Sequence, residues 1–331
     1  MKRGRMFLMV AFLVLSAVVV TAATNDKVVT LKIGYGISSE TVAGKYVGLW
    51  AKQVTEATGG RVKFEIYPSG QLGSLVEMIE ACDLHTLDIT FNDPSLMVNY
   101  LPQIALLSQP MLIKDYKHLD AVVQGEVGKQ LALKLESVSN LHILGWVRNG
   151  FRNIISKKPL TSLKDCKGLI IRSPESSVYI DTFTLLGMTP TPIPYNETYT
   201  ALQTNVVQAC DTSYENFILA SFYEEAKYIL ETNHMAATMS LVINKDVWKS
   251  LPVDTQNVMM KIYNELFMKC NEEVAAAEQK YKQKLISLGC TISNFNDKDQ
   301  DAIVKSFMDY WKKFAKKTSC ADLLDKVVAL R

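Results

Sequence analysis

Strand-like and helix-like patterns alternate along the first part of the chain, and this alternation restricts the fold more than any other feature. The order is strand, helix, strand, helix, strand, at Val29–Tyr35, Val42–Ala57, Val62–Ile66, Ser74–Leu84 and Leu87–Phe91. In the strands roughly every second residue is apolar, whereas in the helices apolar residues recur three and four apart. This order predicts a mainly parallel sheet covered by helices. Ligands of such sheets lie beyond the carboxyl ends of the strands.

The first 23 residues have the features of a secretory signal peptide. Lys2, Arg3 and Arg5 make a basic start, an apolar run follows from Met6 to Val20, and small residues come next. A membrane-spanning helix needs roughly 20 apolar residues, so this shorter run favours export with cleavage over a permanent anchor. We therefore expect residues 1–23 to be removed and the mature protein to be periplasmic.

The alternation begins again near residue 141 and predicts a second lobe. Strand patterns and helix patterns follow at Leu141–Val147, Gly168–Arg172, Ser176–Leu186, Tyr199–Gln203, Tyr228–Thr232 and Ala236–Ile243. The length that remains after the leader fits two domains of about 150 residues each. We place the first lobe at residues 24–149 plus about 236–275, and the second at residues 150–235 plus about 276–331.

A long helical pattern from about Val253 to Leu288 should connect the two lobes. About 36 residues at 1.5 Å each span roughly 54 Å, which is more than the width of one domain. No Pro/Ser-rich linker is found, so the chain should cross between the lobes more than once. The predicted fold is an α/β, two-lobed periplasmic binding protein with a ligand cleft between the lobes and a long helix spanning both.

The charge of the predicted mature chain gives no sign of a nucleic-acid partner. The formal net charge of +2 becomes −1 when the three basic residues of the leader are removed. Proteins that bind nucleic acid usually carry a basic surface.

The six cysteines do not form a compact disulfide pattern. They are widely spaced, at Cys82, Cys166, Cys210, Cys270, Cys290 and Cys320. We expect mostly buried thiols. The sequence does not decide whether two of the last three cysteines form a disulfide. Neither a C-x-x-C nor an H-x-x-x-H spacing occurs, so we expect no structural metal and no cofactor.

A hydrolase is the alternative class, because Cys210, Asp211 and His234 supply a thiol, a carboxylate and an imidazole. The sequence has no G-x-S-x-G, P-loop or G-x-G-x-x-G fingerprint. We therefore predict a binding protein and not an enzyme.

Five segments occur in an order and spacing that resemble one protein family. They are "EATGGRVKFEIYPSGQLGS" (56–74), "LDITFNDPS" (87–95), "GFRNIISKKPLTSLKDCKGLIIRSPES" (150–176), "TPTPIPYNETYTALQTNVV" (189–207) and "FYEEAKYILETNH" (222–234). Together they resemble the solute-binding subunit of tripartite ATP-independent periplasmic (TRAP) transporters, in its DctP-like branch. The resemblance covers nearly all of the predicted mature chain.

The resemblance implies a receptor that closes on a small organic acid anion, such as a C4-dicarboxylate or a related carboxylate. It also implies delivery of that ligand to sodium-driven membrane subunits, one small and one large. The sequence does not decide which membrane protein receives the ligand. The alternative to a TRAP transporter is a sensor kinase or an ATP-driven importer. We expect a monomer.

Three site residues follow from matched motifs. Arg172, at the end of the "GLIIR" pattern, matches the family's arginine that holds the ligand carboxylate in a bidentate salt bridge. A planar guanidinium suits both carboxylate oxygens, although from the residues alone Arg172 could pair with Glu175 instead. Arg152 matches a second arginine, which either touches the ligand or holds the cleft together. Tyr195 matches an aromatic wall of the pocket.

Three further candidates lie on the first lobe. Tyr35 and Asn92 end the first and third strand patterns, where that lobe should face the cleft. Ser74 begins a helix, a place where backbone N–H groups can bind an anion. Each of the three has an alternative role as an ordinary strand-end or cap residue.

The segment "TNVVQACDTSYEN" (204–216) departs from the family pattern G-V-V-D-G-x-E-N. The family's ligand-binding asparagine falls on Thr212, and we include Thr212 and Asp211 in the predicted site. Loss of the amide changes the polar groups that the ligand can meet. A monocarboxylate, a hydroxy or keto acid, or an amino-acid-derived acid is therefore as plausible as a four-carbon dicarboxylate.

Overall fold

The computed structural model describes residues 28–331, so the predicted leader lies outside the described residues. Within this range nine strands form one sheet, in the order β2-β1-β3-β8-β4-β7-β5-β6, with β9 paired to β8. The strands are β1 Val29–Tyr35, β2 Val62–Tyr67, β3 Ile89–Asn92, β4 Leu141–Ser156, β5 Ile170–Ser173, β6 Thr189–Pro192, β7 Ala209–Thr212, β8 Tyr228–Asn244 and β9 Thr291–Ser293.

Thirteen α-helices and three short 3₁₀ helices accompany the sheet within the same range. The α-helices are α1 Val42–Ala57, α2 Leu75–Asp83, α3 Tyr116–Val123, α4 Glu126–Val138, α5 Leu163–Cys166, α6 Ser177–Leu185, α7 Thr198–Gln203, α8 Tyr214–Leu219, α9 Phe222–Glu225, α10 Lys245–Ser250, α11 Val253–Ser287, α12 Asp297–Lys317 and α13 Ala321–Ala329. The 3₁₀ helices are Pro94–Met97, Pro102–Ser108 and Tyr195–Glu197. The two-lobed α/β fold predicted from the sequence is confirmed.

The sheet is parallel at its two outer parts and antiparallel where they meet. Strands β1, β2 and β3 pair in parallel on one side, and β5, β6 and β7 pair in parallel on the other. Between them β4 and β8 pair antiparallel along nearly their whole length. The alternation of strands and helices therefore predicts the parallel outer parts correctly, but it does not predict the antiparallel junction.

Both central strands are longer than their sequence patterns indicate. The segments predicted as two strands around residues 228–243 form the single strand β8, and β4 continues past Val147 to Ser156. The polar residues Thr232 and His234 look like a break in the apolar pattern, yet both are buried within β8. Their side chains form a hydrogen bond, Thr232 Oγ1 to His234 Nδ1 at 2.7 Å, which offsets the cost of burial.

Strand β4 bends at Gly150, between its two halves. Its pairing with β8 shifts register between Arg148 and Phe151, and Gly150 has a φ of +86°. A Cβ atom at this position would lie 2.7 Å from the Cβ of Ser213. Glycine is therefore required both by the left-handed backbone and by the close approach of the next segment.

Helix α11 spans both parts of the molecule, as predicted. Met259 and Phe267 in its first half pack in the apolar cluster of β1 and α1. Leu285 near its C-terminal end packs with Tyr214 and Phe217 of α8.

The last two helices contact both predicted lobes. On α12, the Trp311 Nε1 donates to the carbonyl of Pro110 at 2.7 Å, and the Tyr310 hydroxyl donates to Asp181 at 2.7 Å. On α13, the carbonyl of Val327 lies 2.8 Å from His118 Nε2. The lobe boundaries that we placed from the sequence stay predictions.

We expect no cysteine of the native protein to react quickly with iodoacetamide. All six cysteines are buried and free of disulfides, and burial raises the pKa of every one of these thiols. The reactive species is the thiolate, which is scarce when the pKa is high. Mass spectrometry should show six modified thiols after unfolding in guanidinium and almost none before it. Fast labelling of Cys210 in the native state would contradict this prediction.

Candidate ligand-binding site

A cavity lies between the two lobes, beyond the carboxyl ends of β1 and β3 from one parallel part of the sheet and of β5 from the other. Ile37 follows β1, Asp93 follows β3 and Pro174 follows β5. About 570 Å³ of space, part of it open to solvent, is lined by Ile37, Leu75, Asp93, Leu96, Asn149, Arg152, Arg172, Pro174, Glu175, Tyr195, Thr212, Asn216, Ala237 and Met239. Four of the eight predicted site residues, namely Arg152, Arg172, Tyr195 and Thr212, are thus brought together here.

Arg172 lies near the end of β5, and its side chain is buried without a charge partner. The residue is 4% exposed, and its Nε donates to the carbonyl of Ile193 at 2.8 Å. Among the described residues, no carboxylate oxygen lies within 4.0 Å of its nitrogens, so the alternative pairing with Glu175 is not formed. Burial lowers the pKa of the guanidinium, but arginine keeps its proton. The cavity therefore contains a positive charge that forms no ion pair with a described side chain.

Arg152 is also buried, but it is neutralised by Asp211. Its Nε donates to Asp211 Oδ2 at 2.5 Å, and its Nη2 donates to the Asp211 carbonyl at 2.9 Å. The guanidinium carbon lies 4.7 Å from the centre of the Tyr179 ring. These contacts hold Arg152 in place at the cavity wall.

Asp211 lies outside the cavity lining, in contact with Arg152 and His234. Its Oδ2 lies 3.3 Å from His234 Nε2, and its side chain is fully buried. Burial by itself would raise the pKa of Asp211, but Arg152 and then His234 outweigh burial and hold this pKa well below its usual range. Asp211 is therefore placed to orient Arg152 and not to line the cavity.

Tyr195, Asn216 and Thr212 form the polar wall near Arg172. The Tyr195 ring centre lies 5.8 Å from the guanidinium carbon of Arg172, and its hydroxyl donates to Asn216 Oδ1 at 3.3 Å. Asn216 Nδ2 donates to Ser213 Oγ at 2.9 Å. Thr212 is buried at the end of β7, and its hydroxyl forms no hydrogen bond with a described residue. This hydroxyl therefore keeps its capacity to donate and to accept a hydrogen bond.

Tyr35, Asn92 and Ser74 do not line the cavity. Tyr35 is 1% exposed and packs edge-on against Phe91, with ring centres 6.2 Å apart, and burial raises its pKa to about 12. Asn92 is buried in the sheet, where its carbonyl accepts from Ser240 Oγ at 3.2 Å. These side chains belong to the first lobe's interior, because a strand end places alternate side chains on opposite faces.

Ser74 caps α2, which gives it the alternative role named above. Its hydroxyl accepts from the N–H of Glu77 at 3.2 Å, and its own N–H donates to the Glu77 carboxylate at 2.7 Å. This is a capping box. The anion position predicted at this helix start is therefore already occupied by Glu77.

Three residues that are not among the predicted site residues also line the cavity, namely Asp93, Asn149 and Asn216. Asp93 lies in the segment "LDITFNDPS" and Asn149 directly precedes "GFRN", whereas Asn216 ends the segment that departs from the family pattern. Asn149 Oδ1 is buried and lacks a hydrogen-bond partner among the described residues. Asp93 could have been predicted as a site residue, because it directly follows the third strand, where ligands of such sheets bind.

Three hydrogen bonds join the predicted lobes around the cavity. The Tyr179 hydroxyl donates to Asp93 Oδ2 at 2.6 Å, and Ser176 Oγ donates to the carbonyl of Ser95 at 2.9 Å. The N–H of Val42, in the first turn of α1, donates to Glu215 Oε1 at 2.9 Å. The cavity is thus held between lobes that contact each other.

The described part of the chain contains neither a metal-binding cluster nor a helix that could span a membrane. Residues 28–331 contain no group of three His, Cys, Asp or Glu side chains arranged to hold a metal ion. None of the helices in this range has the length and apolar character needed to cross a bilayer.

Comparison with known proteins identifies the family. Residues 33–318 match the model of the DctP family, described as bacterial extracellular solute-binding protein, family 7. The sialic acid-binding periplasmic protein SiaP of Vibrio cholerae is 30% identical over 252 residues, which cover 76% of this chain and 77% of SiaP.

Solved structures show the same fold. A TRAP periplasmic solute-binding protein of Sulfurospirillum deleyianum with bound succinate is 27% identical, with a TM-score of 0.85 over 91% of this chain and 99% of that one. A Polaromonas TRAP protein bound to D-erythronate is 26% identical, with a TM-score of 0.85 over 91% and 98% of the two chains. These matches confirm the predicted resemblance and the prediction that the chain is not an enzyme. The chain belongs to the DctP family of bacterial extracellular solute-binding proteins.

Proposed function

We propose that this protein is an extracytoplasmic receptor that binds a small organic acid anion through Arg172. The observation that carries the proposal is a buried guanidinium without a charge partner, placed in a cavity between two lobes. A buried charge is costly unless it is paired, and a ligand carboxylate would pair it with two parallel hydrogen bonds.

The ligands named for the matched proteins support a carboxylate. Succinate, D-erythronate and sialic acid differ in size and polarity, but each carries at least one carboxylate. An arginine is the one group in the described cavity that all of these ligands could use in the same way.

The proposal extends to location and partners. Residues 1–23 act as a cleaved signal peptide, and the mature monomer works in the periplasm. It delivers its ligand to the small and large subunits of a sodium-driven TRAP transporter. A sensor kinase or an ATP-driven importer is the alternative client, and uptake into vesicles that contain the membrane subunits distinguishes these clients by its dependence on a sodium gradient or on ATP.

We expect a saturating organic acid to raise the melting temperature and to compact the molecule. A ligand at 100 times its dissociation constant adds about 2.7 kcal/mol to the free energy of unfolding. Because the cavity lies between the lobes, the ligand should also favour the closed arrangement and lower the radius of gyration. A thermal-shift screen of organic acids, followed by small-angle scattering with each hit, tests both effects.

The control for that screen is EDTA, which should leave the binding unchanged. Loss of binding on adding EDTA would contradict a site made from protein side chains alone. An unchanged scattering curve with a ligand that demonstrably binds would rule out a large closure.

A further inference from the structure

The charges around the cavity allow only one ligand carboxylate to be neutralised. Four charged side chains line the cavity, namely Asp93, Arg152, Arg172 and Glu175. Arg152 is already paired with Asp211 at 2.5 Å, which leaves Arg172 as the unpaired cation. The described lining contains no lysine and no third arginine, and His234 contacts Asp211 outside the lining.

A second carboxylate would meet negative charge. Asp93 is fixed in the wall, since it accepts from the Tyr179 hydroxyl at 2.6 Å and from the N–H of Ser95 at 2.9 Å. Glu175 is exposed and adds a carboxylate at the edge of the cavity. Like charges placed close together in a binding site disfavour the wrong ligand strongly.

Most of the remaining wall is apolar. Ile37, Leu96, Ala237 and Met239 are all buried, and Leu75 and Pro174 complete this surface. Apolar side chains gain free energy when they cover an apolar part of a ligand, but they cannot solvate a charge. Among the polar groups of the lining, Asn149 Oδ1 is buried without a hydrogen-bond partner, and the Thr212 hydroxyl makes no hydrogen bond with a described residue.

We infer that the ligand is a monocarboxylate with an apolar body, with room for one small polar group such as a 2-oxo or 2-hydroxy oxygen, and not a dicarboxylate. The carboxylate binds Arg172, the polar group meets Thr212 or Asn149, and the hydrocarbon part packs on the apolar wall. This inference rests on the proposed function, because it assumes that Arg172 binds a carboxylate.

The test uses pairs of acids that have the same number of carbon atoms. Calorimetry on the purified protein compares pentanoate with pentanedioate, and 2-oxopentanoate with 2-oxopentanedioate. In each pair the monocarboxylate should bind at least about tenfold more tightly, because the second carboxylate has no cation. Equal affinities, or tighter binding of the diacids, would overturn the inference.

A charge added to the apolar wall gives an independent test. Leu75 is half-buried at the start of α2, and Leu75→Arg would supply the missing second cation. The preference for the monocarboxylate should fall several-fold relative to Leu75→Gln, which is polar but uncharged. An equal preference in the two variants would count against the charge argument.

Different results would contradict the ligand class and the proposed function. If the diacids bind as tightly as the monocarboxylates or more tightly, and Arg172→Ala abolishes their binding, only the ligand class is wrong. If neither monocarboxylate binds but another acid of the wider screen does, the ligand class is again wrong and the receptor function stands. If no acid of the screen binds, or if Arg172→Ala binds as well as the natural protein, the proposed function itself is wrong.

Discussion

Replacing Arg172 by alanine is expected to weaken ligand binding by roughly 30-fold to several thousand-fold. In the closed cavity the ligand carboxylate would be buried without its partner, and truncating one side of such a pair costs roughly 2–5 kcal/mol or more. Each 1.4 kcal/mol corresponds to about a tenfold change in affinity. Calorimetry with the best ligand from the organic acid screen measures this loss directly.

Arg172→Lys separates the effect of charge from that of geometry, and Glu175→Gln is the control at a neighbouring charged residue. Arg172→Lys keeps the charge but loses the planar bidentate contact, so it should recover only part of the affinity. Glu175→Gln changes a charged residue at the exposed edge of the same cavity and should not cause a comparable loss. Near-normal affinity in Arg172→Ala would show that Arg172 does not bind the ligand carboxylate.

The fold should tolerate the loss of Arg172. Its side chain makes no ion pair with a described residue, and its one hydrogen bond is to the carbonyl of Ile193. Removing an unpaired buried charge takes away a cost of folding. The melting temperature of Arg172→Ala without ligand should therefore equal or exceed that of the natural protein, and a collapsed melt would show that Arg172 is structural.

Replacing Arg152 by methionine is expected to have the opposite effect, a large loss of stability without ligand. Asp211 would remain fully buried with its main charge partner gone. Breaking a buried ion pair by removing one partner destabilises a protein by about 3–5 kcal/mol. Denaturant unfolding should show this decrease in the free energy of unfolding.

The double variant Arg152→Met/Asp211→Asn should recover part of that loss, because no buried charge is then left alone. Lys326→Met is the matched control, since Lys326 pairs with Glu126 at the surface. An exposed pair of this kind contributes about 1 kcal/mol or less. A similar loss for Lys326→Met and Arg152→Met would contradict the special role of burial.

The pH dependence of stability should also identify the Arg152–Asp211 pair. The pKa of Asp211 is lowered in the folded protein, so the pair stabilises the fold above the ordinary carboxyl pKa of about 3.9. That contribution is lost as the pH falls towards the folded-state pKa. The difference in unfolding free energy between the natural protein and Arg152→Met should therefore be largest near neutral pH and shrink in acid.

The sequence predicted the elements well and their long-range pairing poorly. Local patterns located β1, α1 and α11 within a residue or two, because these elements follow from the spacing of apolar residues. The antiparallel junction of β4 and β8 depends on contacts between distant segments, which a single sequence does not reveal. For the same reason β8 was predicted as two strands.

The site residues were likewise predictable from local motifs, whereas their contacts with distant residues were not. Arg172 and Arg152 were selected because they match motifs, but nothing local indicates that Asp211 neutralises one of them and not the other. That difference comes from the pairing of β4 with β7, in which Ile154 lies opposite Asp211. Tyr35 was selected because it ends a strand, and the direction of its side chain could not be derived from that position.

The central place of β8 in the sheet has a consequence for the order of synthesis and folding. Asn92 of β3 pairs with Ser240 of β8. The open edge of β3 therefore has no neighbouring strand until the ribosome has added 148 further residues. At roughly 5–20 residues per second, a ribosome needs about 7–30 s for that stretch. Long-range pairing of this kind also slows folding itself. The nine-stranded sheet therefore cannot be completed until β8 has been made, which suits a family described as extracellular.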